Sequence, residues 1–351
     1  MNSISLDLIK KLPKVELHCH LDGSLRLNTI IDISKKNKIK LPSYEPTILS
    51  KVISLDKKKV SLEEYIALFD ITLSVMQDES SLERISYELM EDLANDNIYY
   101  AEIRFSPILH TKNGMSIEEA LKAVKKGLER GSKSYGTKYG IIICCIRSIN
   151  PIISIELAEL AVIYKNKGVV GFDLAGAENN YPAKKHKEAF YIIRNNNVNT
   201  TIHAGEAFGP ESIHQAIHTC GANRIGHGIR LLEDPELLSY VNNHRICLEI
   251  CITSNFHTGA VESLKEHPFI YYYNKGVRVC LNTDNRLISN TNLSKEYLIA
   301  CQLFNLNLND IREIIIMSMK SAFIAHQERK RLIKLLSNKL ENDFGITSSY
   351  T

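Results

Sequence analysis

The sequence predicts an α/β fold, a closed (β/α)8 barrel of the TIM type with extra helices after the first strand and at the carboxyl terminus. Eight short apolar runs recur along the chain, separated by segments with apolar residues at helical spacing. Strict alternation of strands and helices implies parallel pairing through right-handed crossovers, and a count of eight favours a closed barrel over an open sheet. The 351 residues are 44% hydrophobic and 24% charged, which excludes a disordered or collagen-like chain.

The predicted strands are runs rich in Val, Ile and aromatic residues. They are Val15–Leu21, Tyr99–Phe105, Gly140–Ile146, Val169–Leu174, Thr200–Ala204, Arg224–Gly228, Ile246–Cys251 and Val277–Asn282. The segments between them predict amphipathic helices. These are Ser116–Gly127, Ile155–Asn166, Lys184–Asn195, Pro210–Cys220 and Asp234–Asn243.

Two regions exceed the simple βα alternation. The first connection, from Gly23 to Asn97, is too long for one crossover helix and must contain additional helices. The chain after Asn292 is also predicted to be helical, over Leu293–Phe304 and Asp310–Asn338. Because no Gly/Ser linker or Pro-rich boundary divides the chain, residues 1–351 are predicted to form one barrel domain.

Composition also limits the partners and the location. The formal net charge of +3 and the short basic runs without interleaved aromatics argue against nucleic-acid binding. No secretory signal and no apolar stretch of about 18 residues is apparent, so we expect no membrane partner. Eight cysteines without tight repeated spacing indicate reduced thiols and a cytoplasmic protein. The sequence leaves the oligomeric state open.

Polar side chains concentrate at the carboxyl ends of the predicted strands, where barrel active sites lie. Because strand side chains alternate faces, His18 and His20 point the same way. His203 and Asp284 follow two other strands and complete a set of three nitrogens and one oxygen, which suits Zn²⁺. Each residue alone could be a hydrogen-bonded core histidine or a capping carboxylate. Together, at matching strand ends, they favour one metal site.

Seven segments in order, between Leu12 and Ser337, resemble the adenosine deaminase family, the mononuclear zinc branch of the amidohydrolase-type barrels. They begin Pro13-Lys14-Val15-Glu16-Leu17-His18-Cys19-His20-Leu21-Asp22-Gly23-Ser24 and continue with Ala101–Pro107, Gly171–Gly176, His203-Ala204-Gly205-Glu206, Arg224–Gly228, Thr253-Ser254-Asn255 and Leu281–Arg286. Each segment is weak alone, but seven in register are specific.

The resemblance implies a role for each matching residue. The family's ligands to a single zinc ion fall on His18, His20, His203 and Asp284. Its proton-donating glutamate falls on Glu206, the histidine beside the attacking water on His227, and nucleoside contacts on His20, Asp22 and Gly176. Asn285 stands where some members carry a second Asp, and its amide can donate a hydrogen bond to ring nitrogen 7 at any pH.

The implied reaction is hydrolysis of a C–N bond in a cyclic amidine. Adenosine, and with it 2′-deoxyadenosine, would be converted to inosine or deoxyinosine and ammonia, a step of purine salvage on a small-molecule nucleoside. Glu206 would protonate ring nitrogen 1, while His227 and Asp284 would orient the attacking water and accept its proton.

The alternative within deaminases is an enzyme acting on free adenine. Such relatives usually carry Glu after the His-x-His-Leu segment and Ser-Asp-Asp in the last strand. Asp22 and Thr283-Asp284-Asn285 stand here instead, and the shorter carboxylate leaves room for a ribose hydroxyl. A catalytically silent binding protein and a metal-dependent ester or amide hydrolase are the readings from other classes.

An apolar stripe lies within the long first connection. Leu62, Tyr65, Ile66 and Phe69 follow the capping-like Ser61 at helical spacing. The stripe is typical of core packing, and its position also allows a lid that excludes water from the site.

Overall fold

Eight parallel strands follow one another in sequence order, β1 to β8, around a nearly closed barrel in the computed structural model, which describes residues 4–56 and 58–347. The ends of the predicted 1–351 domain and residue 57 lie outside the described residues. The strands are β1 Lys14–His20, β2 Ile98–Phe105, β3 Lys138–Ile146, β4 Val169–Ala175, β5 Asn199–Ala204, β6 Arg224–His227, β7 Cys247–Ile250 and β8 Val279–Leu281. Each coincides with a predicted apolar run, so the barrel prediction is confirmed.

Helices surround the barrel and fill the long first connection. In chain order they are α1 Leu6–Lys11, α2 Leu27–Asn37, α3 Pro46–Ile53, α4 Leu62–Ala67, α5 Phe69–Ser74, α6 Glu79–Asn95, α7 Ile117–Tyr135, α8 Pro151–Tyr164, α9 Lys187–Asn195, α10 Pro210–His214, α11 Pro235–Asn243, α12 Ile252–His257, α13 Phe269–Asn274, α14 Leu293–Phe304, α15 Leu308–Ser321 and α16 His326–Phe344. Short 3₁₀ turns lie at Pro107–His110, Ala183–His186, Ile229–Glu233 and Leu264–Glu266, and a π-helical turn follows α10 at Gln215–Thr219.

Local sequence explains where several helices begin. Ser61 and Glu64 form a reciprocal capping box at the start of α4, and Ser116 and Glu119 form another at α7. Proline occupies the first turn of α8, α10 and α11, where its missing N–H costs no helical hydrogen bond. These signals explain why the predicted helices form close to the expected positions.

The barrel closes between its last and first strands just beyond β8. The N–H of Asp284 donates to the carbonyl of His18 at 2.9 Å, and the N–H of His20 donates to the carbonyl of Asp284 at 2.7 Å. These bonds bring the carboxyl ends of β1 and β8 together. Residues separated by more than 250 positions in the chain therefore share one end of the barrel.

One predicted helix is wrong. The stretch Asp310–Asn338 is not continuous, because residues 322–325 separate α15 from α16. The Phe323 N–H donates to the carboxylate of Glu102, and the Phe323 ring packs 3.6 Å from the guanidinium of Arg224, which also binds the Ser321 carbonyl. The break is thus caused by contacts with two strands of the barrel. Among the described residues, no helix is long and apolar enough to span a bilayer.

Candidate active site

Four ligand-type side chains meet at the carboxyl ends of the strands. One nitrogen each from His18, His20 and His203 and one carboxylate oxygen from Asp284 all lie within 4.8 Å of one another. The Asp284 Oδ1 atom is 3.2 Å from His18 Nε2 and 3.3 Å from His20 Nε2, and the Nε2 atoms of His20 and His203 are 3.1 Å apart. His18 Nε2 is buried without a hydrogen-bond partner among the described residues. This donor set and its unpartnered nitrogen fit a Zn²⁺ ion.

Two buried carboxylates orient the rings of His18 and His203 through their Nδ1 atoms. Glu249 on β7 lies 2.8 Å from His18 Nδ1, and Asp173 on β4 lies 3.1 Å from His203 Nδ1. A carboxylate that accepts the Nδ1 proton leaves Nε2 with a free lone pair directed at the cluster. Both rings therefore present the nitrogen that a metal requires.

Arg104 on β2 joins these two carboxylates. Its guanidinium donates to Asp173 and to Glu249, each at 2.8 Å, and the side chain is completely buried. Burial alone would raise the pKa of Glu249, but Arg104 and Arg224 hold that pKa well below its ordinary value. Burial likewise opposes ionisation of Asp173, whose pKa is lowered by His203 and Arg104. Both carboxylates are thus anionic and able to polarise the ligand histidines.

Asp284 is held in an uncommon backbone conformation. Its φ of +60° lies in the left-handed region of backbone conformation, which residues other than glycine rarely adopt. Ser254 donates to Asp284 Oδ2 at 2.6 Å, which leaves Oδ1 directed toward the histidine nitrogens. The conformation is stabilised by the closing hydrogen bonds between β8 and β1.

Glu206 lies beyond β5 and lines the same cavity as the ligand-type side chains. Its Oε1 accepts a hydrogen bond from Thr258 Oγ1 at 2.9 Å. Burial raises its pKa well above the ordinary value, and the nearby charges of Asp284 and Glu178 raise it further. This environment favours the protonated form of the Glu206 carboxyl group, which can donate its proton.

His227 ends β6 with a φ of +66°, a second left-handed conformation in the site. Asn255 Nδ2 donates to His227 Nδ1 at 2.9 Å, and His227 Nε2 lies 3.5 Å from Glu206 Oε2. Burial lowers the pKa of His227 well below its ordinary value, so the ring is neutral. Its Nε2 edge faces the cavity.

A cavity of about 300 Å³ opens above these groups. Its lining brings together the candidate site residues singled out by the sequence, whereas His18 lies deeper. They are His20, Asp22, Gly176, His203, Glu206, His227, Asp284 and Asn285. Burial raises the pKa of Asp22 to about 7, and its Oδ1 has no hydrogen-bond partner in the described chain. The apolar stripe of Leu62, Tyr65, Ile66 and Phe69 forms part of the same lining, and Tyr65 and Phe69 also pack in or against the hydrophobic core.

Several residues that organise the site were not assigned a role from the sequence. They are Arg104, Asp173, Glu178 and Glu249. Three of them are charged residues inside otherwise apolar strand runs, and a buried charge in such a run requires a partner. That signal marks them as members of a polar network, but it does not reveal which ligand each one supports.

Comparison with known proteins agrees with this geometry. The adenosine deaminase family profile matches residues 13–339. An adenosine deaminase from Mycobacterium ulcerans is 42% identical, with 94% of this chain and 95% of that protein covered. A probable adenosine deaminase from Dictyostelium discoideum is 43% identical over 92% of this chain, but the match spans only 42% of that longer protein.

Solved structures of deaminases share the fold. An adenine deaminase from Arthrobacter aurescens superposes with a TM-score of 0.88 at 22% identity, covering 94% of this chain and 99% of that chain. An N6-methyl-AMP deaminase from Arabidopsis thaliana gives a TM-score of 0.83 at 27% identity, covering 95% and 98%. The first likeness, at this low identity, shows the fold alone.

Proposed function

The chain belongs to the adenosine deaminase family of hydrolytic deaminases, and from this premise we propose that it converts adenosine and 2′-deoxyadenosine to inosine and deoxyinosine with release of ammonia. The observation that carries the proposal is the placement of a proton-bearing carboxyl group, Glu206, in the same small cavity as a three-histidine, one-aspartate cluster. Hydrolytic deamination requires both a proton donor for the purine and an activated water.

We assign His18, His20, His203 and Asp284 as the ligands of one zinc ion. A bound Zn²⁺ supplies a nucleophile at neutral pH by lowering the pKa of water from 15.7 to about 7. The anionic Glu249 and Asp173 support this assignment, because each holds a histidine ring in the tautomer that leaves Nε2 unprotonated.

The protein's own groups carry the remaining steps. Attack of water at carbon 6 moves charge onto ring nitrogen 1, and Glu206 donates its proton there. His227 and Asp284 line the same cavity, and we assign them to orient the attacking water. Asp22, Gly176 and Asn285 complete the proposed contacts to the nucleoside, with His20 beside them.

The charge of the cavity supports a nucleoside rather than a nucleotide. Asp22 and Asp70 line it, and no Lys or Arg is among its described lining residues. A 5′-phosphate would have no cation there to balance its charge, and the carboxylate of Asp70 would repel it. The proposal therefore differs from the substrate named for the Arabidopsis relative, whose identity to this chain is 27%.

The experiment follows ultraviolet absorbance with adenosine, free adenine and AMP in parallel, before and after zinc is stripped and restored. Zinc-dependent turnover of adenosine, with adenine and AMP unchanged, supports the proposal. Turnover of adenine alone or of AMP alone would replace the substrate assignment. His203→Ala should lose zinc and activity, while His214→Ala, an exposed histidine on α10 outside the cavity, should retain both.

A further inference from the structure

A chain of buried hydrogen bonds begins at His227 Nδ1, on the side of the ring away from the cavity. The Phe269 N–H donates to His267 Nδ1 at 3.1 Å, His267 Nε2 lies 3.2 Å from Asn255 Oδ1, and Asn255 Nδ2 lies 2.9 Å from His227 Nδ1. The three side chains of this hydrogen-bond chain, His227, Asn255 and His267, are at most 2% exposed. Solvent water therefore does not compete for these hydrogen bonds.

Two backbone N–H groups fix the donor and the acceptor of every hydrogen bond in this chain. A backbone nitrogen can only donate, so the Phe269 N–H makes His267 Nδ1 an acceptor and places the proton of the neutral ring on Nε2. The Cys251 N–H likewise approaches Asn255 Oδ1 at 3.3 Å, which identifies that atom as the amide oxygen. Asn255 Oδ1 thus accepts from His267, and the amide NH₂ faces His227.

Burial keeps His267 neutral, as the acceptor role of its Nδ1 atom requires. It lowers the pKa of His267 to about 3. A protonated His267 would also carry a proton on Nδ1, which would oppose the Phe269 N–H. Because the Asn255 NH₂ donates to His227 Nδ1, the single proton of a neutral His227 resides on Nε2, the atom that faces the cavity.

We propose that His267, acting through Asn255, holds His227 as the Nε2–H tautomer, so that His227 donates a hydrogen bond to the attacking water and does not accept its proton. The inference rests on the proposed function and narrows it, since the sequence resemblance gave His227 a share in accepting that proton. Asn255 and His267 are positioning residues, because neither lines the cavity.

The proton balance then assigns the acceptor role to Asp284. As the water oxygen bonds to carbon 6, one water proton passes to the Asp284 carboxylate and the Glu206 proton passes to ring nitrogen 1. When the bond from carbon 6 to the exocyclic nitrogen breaks, the proton on Asp284 leaves with ammonia. The second water proton restores the Glu206 carboxyl group as the carbonyl forms. No step requires a lone pair on His227 Nε2.

The direct test is the tautomer itself. Protein labelled with ¹⁵N-histidine is studied by long-range ¹H–¹⁵N correlation, both metal-free and zinc-loaded, because protonated and unprotonated ring nitrogens have well-separated shifts. Signals are assigned by their loss in His227→Gln and in His267→Gln. We expect both rings to carry the proton on Nε2. A His227 ring protonated on Nδ1 would overturn the proposal whatever the activity.

Variants then connect the tautomer to the rate. Asn255→Asp presents an acceptor to His227 Nδ1 and should move the proton to Nδ1, with kcat at least about a hundredfold lower and KM nearly unchanged. In serine proteases a wrong histidine tautomer costs about 10⁴ in kcat. Protein that keeps wild-type kcat although its His227 is protonated on Nδ1 would also overturn the proposal.

A matched pair at position 267 decides the matter even if Asn255→Asp does not fold. Gln at 267 retains an N–H donor for Asn255 Oδ1, whereas Leu removes it. We expect His267→Gln to stay within a few-fold of wild-type kcat, and His267→Leu to lose at least about tenfold with a mixture of His227 tautomers. Equal kcat and an unchanged Nε2–H signal in His267→Leu would remove its positioning role. A wild-type protein with the Nε2–H tautomer but no adenosine turnover would instead contradict the proposed function.

Discussion

The carboxylate of Glu178 holds the backbone of Glu206. It accepts the Glu206 N–H at 3.0 Å, and it also accepts the N–H groups of three chain neighbours, Gly205, Ala207 and Phe208, at 2.6 to 2.8 Å. Four consecutive N–H groups around one carboxylate form an anion-binding concavity. Glu178 thus fixes the loop that carries Glu206, and the charge of Glu178 favours the protonated form of Glu206.

Replacing this anchor should impair catalysis from outside the reacting groups. Glu178→Ala leaves buried N–H groups without their acceptor, each of which costs about 1–3 kcal/mol when unsatisfied. We expect a lower melting temperature and a kcat reduced at least about tenfold, since a small displacement of a catalytic group can cost 10²-fold. Calorimetry and adenosine kinetics measure the two effects. Glu188→Ala, an exposed glutamate at the start of α9, is the control, and wild-type kcat in Glu178→Ala would contradict the expectation.

The elevated pKa of Glu206 predicts a basic limb in the pH profile. The active form carries the proton, so kcat/KM should be full below the folded-state pKa and should fall as the pH rises through it. Glu206→Gln should reduce kcat by about 10²–10⁴-fold with little change in KM, because the lost interaction belongs to the transition state. The residual activity should lack that basic limb.

The control for this variant is Glu211→Gln, an exposed glutamate on α10. It should keep the wild-type profile. An effect of Glu206→Gln on KM alone would remove Glu206 from the role of proton donor.

The candidate ligands could be predicted from the sequence because parallel strands end at one edge of a barrel. His18, His203 and Asp284 each follow directly from that rule, whatever the details of packing. The rule uses only strand order and the two-residue alternation of side chains. It requires no knowledge of which side chains touch.

The features that escaped prediction depend on contacts between distant parts of the chain. The break after α15 is caused by Glu102 and Arg224, more than 90 residues away in sequence from Phe323. The tautomer of His227 depends on the orientation of the Asn255 amide, which is set by a hydrogen bond that no pattern of residues encodes. Strand alternation predicts positions, whereas hydrogen-bond direction requires coordinates.

Arg104 should be important for stability as well as for the metal site. Arg104→Leu would leave Asp173 and Glu249 as buried anions without this cation, and breaking a buried ion pair from one side costs about 3–5 kcal/mol. Chemical denaturation should show a loss of that size. Arg331→Leu removes an ion pair to Glu328 from an arginine that is 60% exposed, and it should leave the free energy of unfolding nearly unchanged because exposed ion pairs contribute little. Equal losses in the two variants would show that Arg104 is not needed to balance the carboxylates.

Gly23 should be indispensable for the position of Asn285. A Cβ atom at residue 23 would lie 1.9 Å from Asn285 Oδ1, 2.6 Å from its Cγ and 2.8 Å from its Cβ, so the two side chains cannot occupy their present places together. Rotation of the Asn285 amide cannot relieve the contact with its Cβ, so the backbone that carries Asn285 must shift in Gly23→Ala. The proposed contact of Asn285 to ring nitrogen 7 should therefore be displaced.

We expect Gly23→Ala to raise KM for adenosine at least about tenfold, the factor that corresponds to 1.4 kcal/mol, and the zinc content shows whether the backbone shift extends to Asp284. Steady-state kinetics and metal analysis measure the two quantities. Gly209→Ala is the matched control, because a Cβ there would meet only Glu233 Oε2 at 3.9 Å and the backbone φ of −69° suits alanine. A wild-type KM in Gly23→Ala would mean that Asn285 does not contact the purine, since the substitution displaces that side chain directly.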